Sequence, residues 1–62
     1  NQALQQALTA NQEGRLEDAE QLYRSTLKNQ PANSNASHNL GGTLKILGRL
    51  NEAEKCFKKA NR

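Results

Sequence analysis

Apolar residues recur along the chain at spacings of three and four, the signature of helices that turn one face inward. Ala3, Leu4, Ala7, Leu8 and Ala10 form the first stripe, and Gly14 then supplies a residue able to end a helix in the left-handed conformation. A second stripe runs through Leu16, Ala19, Leu22, Tyr23, Thr26 and Leu27. Pro31 stops it, because proline lacks an amide hydrogen and restricts the residue before it. The third stripe, Ala36, Leu40, Gly41, Leu44 and Leu47, follows Asn33 or Ser34 as cap and closes at Gly48. A fourth helix is predicted from Asn51, where Asn51 and Glu54 have the spacing of a capping box, with Leu50, Ala53, Cys56, Phe57 and Ala60 inward. These four helices predict an all-α fold.

The stripes repeat. Displaced by 34 residues, the sequence aligns with itself at seven identical positions: Asn1/Asn35, Thr9/Thr43, Gly14/Gly48, Arg15/Arg49, Leu16/Leu50, Ala19/Ala53 and Glu20/Glu54. Other pairs keep their character, among them Ala7/Gly41, Asp18/Glu52, Tyr23/Phe57 and Arg24/Lys58. Such a period marks tandem supersecondary units. The reading is two units, residues 1–33 and an incomplete 34–62, each an antiparallel helix pair in an α-α solenoid. Ala7 and Gly41, with Ala19 and Ala53, are small where helices must approach closely, and Tyr23 and Phe57 fill the wider end.

Composition narrows the function classes. At 62 residues, 34% hydrophobic and without Val, Met or Trp, the chain can build only a thin core, and a self-sufficient enzyme is disfavoured. Leu and Ala dominate its apolar side chains, which suits helices better than sheets. One cysteine, Cys56, and one histidine, His38, provide neither a disulfide nor a metal-ligand cluster, so no cofactor or metal is expected. No apolar run approaches the roughly 20 residues of a membrane span, and no membrane partner is expected. The first residue is not Met, so the chain is expected to be a piece of a longer protein.

Unit two carries Leu40-Gly41 and Ala53-x-x-x-Phe57, and unit one carries Ala19-x-x-x-Tyr23 and Pro31. In these residues and in its period the sequence resembles the tetratricopeptide repeat family over about 1.8 repeats. It departs from the family pattern at Ala3, Ala10, Ser37 and Leu44, which replace large aromatics, and at Gln6, where the family prefers Leu, so looser packing is expected in unit one. The resemblance implies a non-catalytic binding scaffold, a right-handed superhelix holding an extended protein or peptide on a concave face lined by the first helix of each pair. That face is expected to show Asn1, Leu4, Gln5, Leu8, Asn11 and Gln12 from unit one, and Asn35, His38, Asn39, Gly42, Lys45 and Ile46 from unit two. Asn39 matches the asparagine that in many members bonds a peptide backbone, notably in repeats attached to O-linked N-acetylglucosamine transferases; Gln5 takes the equivalent place in unit one. Asn39, Gln5, His38, Asn35, Leu8 and Lys45 are the expected peptide-binding residues.

Two other functions compete with this one. The chain can be the substrate-presenting arm of a transferase whose catalytic domain lies outside it, or an RNA-binding helical repeat. Lys55, Lys58, Lys59 and Arg62 give the last helix a basic end, but helix C-termini favour cations in any case, and Lys45 is the only cation expected in the groove. Nucleic acid is therefore not the expected partner. Repeat arrays also need their end faces covered, and Leu44, Leu47, Cys56 and Phe57 are expected to lack a following helix, which predicts self-association in isolation.

Overall fold

The computed structural model describes residues 2–60, and Asn1 and Arg62, assigned above to the groove and the basic end, lie outside the described residues. Four helices follow one another: α1 (Gln2–Gln12), α2 (Leu16–Asn29), α3 (Ser34–Ile46) and α4 (Leu50–Ala60). Each packs against its neighbours in sequence, α1 on α2, α2 on α3 and α3 on α4. The architecture is that of an all-α helical repeat.

Two identical turns produce the two pairs. Gly14 and Gly48 adopt φ of 81° and 84°, the left-handed region closed to most side chains. Around Gly14, the amides of Gly14 and Arg15 donate to the carbonyls of Asn11 and Ala10; around Gly48, those of Gly48 and Arg49 donate to Lys45 and Leu44. This is the Schellman arrangement, which satisfies the last carbonyls of one helix while reversing the chain. Arg15 and Arg49 then stand at once as the residues just before the next helices, their carbonyls accepting from Ala19 and Ala53. That double duty overrides the predicted capping box. The last helix starts at Leu50, and Asn51 falls within its first turn.

The link between α2 and α3 is built differently. Gln30, at φ −133° and ψ 75°, has left the helical region ahead of Pro31, which disfavours that region in the residue before it, and its amide still donates to Thr26. Asn33, not Ser34, caps α3, its side chain accepting from the Ala36 amide at 3.1 Å.

Ala7, Ala10, Ala19, Tyr23, Leu40, Leu44 and Ala53 form the buried core, with Leu4, Leu8, Leu22, Leu27, Cys56 and Phe57 packed half-buried around it. Gly41 is buried because the Phe57 ring lies directly over it; a Cβ there would meet the Phe57 Cε1 at 2.8 Å. Thr26 and Thr43 are buried without penalty because each hydroxyl donates to the carbonyl four residues earlier, on Leu22 and Asn39. Two placements differ from the sequence reading. Leu44 is fully buried between the helices, not left open at the end, whereas Leu50 is 60% exposed instead of inward. Both differences follow from position in the stack: α3 packs against α2 on one side and α4 on the other, whereas the main packing of α4 among the described residues is against α3.

Candidate functional site

Burial along α3 alternates cleanly. Ala36, Ser37, Leu40, Gly41, Thr43 and Leu44 turn inward, and Asn35, His38, Asn39, Gly42, Lys45 and Ile46 form an open stripe on the opposite side. All four expected binding residues of this helix, Asn35, His38, Asn39 and Lys45, therefore share one accessible face. Asn39 is half-buried at the centre of the stripe; its carbonyl takes the Thr43 hydroxyl, and its side-chain amide has no partner among the described residues. One turn on, Gly42 presents bare backbone, with nothing within 4 Å of the place a Cβ would take. Ile46 ends the stripe as an apolar side chain 65% exposed.

His38 sits at the edge of this face, its ring 5.4 Å from that of Phe57 and tilted by 55°. It therefore looks toward α4 as well as solvent. On α1, Leu8 is half-buried against the core, so part of its surface is committed to packing. Gln5 is exposed, and it lines a cleft of about 670 Å³ between α1 and α2. The binding set thus divides, four residues on the α3 stripe and Gln5 at a separate opening.

That cleft, lined also by Gln6, Thr9, Ala10, Arg15, Asp18 and Leu22, was not anticipated. Nor was a charge network joining α2 to the last turn. The Arg49 guanidinium donates to both Glu20 oxygens at 2.8 and 2.9 Å and also bonds Glu52. Arg24 pairs with Glu20 at 2.9 Å and reaches Glu52 at 3.5 Å, closing a ring of four alternating charges. The Arg49 hydrogen bond lowers the Glu52 pKa, and its partner bond to Glu52 raises that of Arg49. The identities Arg15/Arg49 and Glu20/Glu54 carried the signal for this network, but as repeat markers they did not reveal that residues 29 apart would meet.

Two buried groups have limited chemistry. Burial raises the pKa of the Cys56 thiol, which disfavours the nucleophilic thiolate. Burial likewise raises that of Tyr23, whose hydroxyl is enclosed without a hydrogen-bond partner among the described residues. No helix among the described residues is long and apolar enough to cross a membrane.

The family model for the tetratricopeptide repeat matches residues 10–62. The matched stretch opens in the last turn of α1 and takes in α2, α3 and α4, leaving out the part of the first unit where Ala3 and Gln6 depart from the family pattern. No curated protein and no solved structure matches the chain. With well over half of its residues matched, and with four helices built by two repeated helix–turn–helix units, the chain belongs to the tetratricopeptide repeat family.

Proposed function

We propose that this chain is a non-catalytic interaction module that holds an extended peptide along the open stripe of α3, with α1 contributing Leu8. The observation that carries this reading is the pairing of Asn39 with Gly42 on one accessible face. An unengaged amide can donate to a peptide carbonyl and accept from a peptide N–H at once, and the absent side chain at Gly42 lets a backbone come close to the helix. Lys45 and Ile46 then offer one charged and one apolar contact for the ligand's side chains, and Asn35 and His38 border the other end. The tetratricopeptide family generally binds proteins or peptides, which supports the same reading.

Within this reading the chain comprises units 1–33 and 34–62 of a longer repeat protein. The match of Asn39 to the backbone-binding asparagine of transferase-linked repeats supports recognition of peptide backbone over particular side chains. Self-association of the isolated chain through the open helix ends belongs to the same proposal.

Peptides selected on the immobilised chain provide the test. Asn39→Ala is expected to weaken the selected peptides about tenfold or more, the loss of two directional hydrogen bonds, and Gly42→Leu to block them sterically. Lys28→Ala, on α2, serves as the control. Unchanged affinity in both groove variants, measured by titration calorimetry, would place the peptide site elsewhere.

A further inference from the structure

The α1–α2 cleft has a counterpart that is already filled. Thirty-four residues on from Gln6, Thr9, Ala10, Arg15 and Asp18 stand Leu40, Thr43, Leu44, Arg49 and Glu52. Leu40, Thr43 and Leu44 are buried, and Arg49 and Glu52 hold Glu20 and Arg24 of α2. In the second pair, then, this face is a seat for the preceding helix. In the first pair the same face is the vacant cleft, where Ala10 is smaller than Leu44.

The helix that fits such a seat is also present, at the other end of the molecule. Leu16, Tyr23 and Thr26 of α2 correspond to Leu50, Phe57 and Ala60 of α4. Tyr23 and Thr26 are fully buried and Leu16 half-buried, whereas Phe57 and Ala60 are half-buried and Leu50 is 60% exposed. So α4 leaves open the face by which α2 engages its neighbour. The charges agree in sign at every corner of the ring: Glu54 stands for Glu20, Lys58 for Arg24, Arg15 for Arg49 and Asp18 for Glu52. Half of a second ring is assembled on α4, where Lys58 lies 3.6 Å from Glu54. Arg15, at the cleft, pairs with Glu13 at 2.9 Å, an exposed contact that is easily exchanged.

We propose that a second copy of this chain is the occupant: α4 of one copy docks head to tail in the α1–α2 cleft of the next, with Glu54 against the second copy's Arg15 and Lys58 against its Asp18. The proposal deepens the self-association stated above by assigning its polarity and its charge code. Each head-to-tail contact leaves a free α4 face on one copy and a free cleft on the other, so copies add into short stacks.

Light scattering and sedimentation on the full chain, from about 10 µM to about 1 mM, test it; this range brackets weak interfaces. The wild-type chain is expected to show a mass rising with concentration, and less so at high salt. Glu54→Arg and Arg15→Glu should each weaken association about tenfold by placing like charges together, with helix content unchanged by circular dichroism. An equimolar mixture of the two variants should recover association as alternating stacks, because both mixed junctions pair opposite charges whereas each variant alone sets like charges together. Association indifferent to both reversals, or no recovery on mixing, would overturn the polarity while leaving self-association standing. A constant monomer mass for the wild type would overturn both.

Discussion

Adjacent glycines in α3 offer a direct test of the packing. Gly41 and Gly42 have nearly the same helical environment, and replacing either by alanine should add about 1 kcal/mol of helix propensity. Their surroundings differ sharply. A Cβ at Gly42 meets nothing within 4 Å, whereas at Gly41 it meets the Phe57 ring at 2.8, 2.9 and 3.1 Å. Ordinary carbon contacts begin near 3.5 Å, so the ring would have to retreat by about 0.7 Å. Overpacking of this kind costs about 1–3 kcal/mol, and the middle of that range applies because Phe57 is only half-buried and can yield toward solvent. Gly42→Ala is therefore expected to stabilise by about 1 kcal/mol and Gly41→Ala to destabilise by about 1 kcal/mol. In a domain of this size each corresponds to a shift of about 4–8 °C in Tm, in opposite directions. Thermal and urea unfolding followed by circular dichroism at low protein concentration would read both, free of association. A double-mutant cycle adds a control: in a Phe57→Ala background, Gly41→Ala should become stabilising. Equal upward shifts for the two single variants would refute the ring-over-glycine contact and with it the account of how α3 meets α4.

Three further outcomes follow from the caps, the core and the ion pairs. Asn33→Ala should cost about 1 kcal/mol by removing the bond from the Ala36 amide, while Asn51→Ala, which caps nothing, should change stability by less than about 0.5 kcal/mol; chemical denaturation distinguishes them. Tyr23→Phe removes an enclosed hydroxyl that has no hydrogen-bond partner among the described residues, and is expected to be neutral or stabilising by up to about 1 kcal/mol; a loss of more than that in urea unfolding would mean the hydroxyl is satisfied. Because the Arg49 bond lowers the folded pKa of Glu52 from its ordinary 4.5, its contribution is present above that value and is lost as pH falls through the lowered folded value. Arg49→Gln should flatten this acid limb of the stability profile, and an unaltered profile would show that the pairing does not persist in solution.

Much of this protein was determined locally and could be read from the sequence. The 34-residue period, the left-handed glycines at the two turns, the break at Pro31 and the cap at Asn33 depend on φ preferences and on hydrogen bonds spanning a few residues. The open stripe of α3 follows equally from helical period, since whatever is not inward at spacings of three and four must face out. Tertiary structure decided the rest. Leu16 and Leu50 are the same residue in the same repeat position, yet one is covered and the other is 60% exposed, because burial depends on whether a further helix is present to do the covering. Gln5 and Asn39 correspond in sequence but face different openings, since α3 is flanked by two helices and α1 packs on α2. The Glu20–Arg49 pair joins residues 29 apart, and no local rule reaches that far: only after the helices stack do side chains that serve in sequence as repeat markers become partners across a junction.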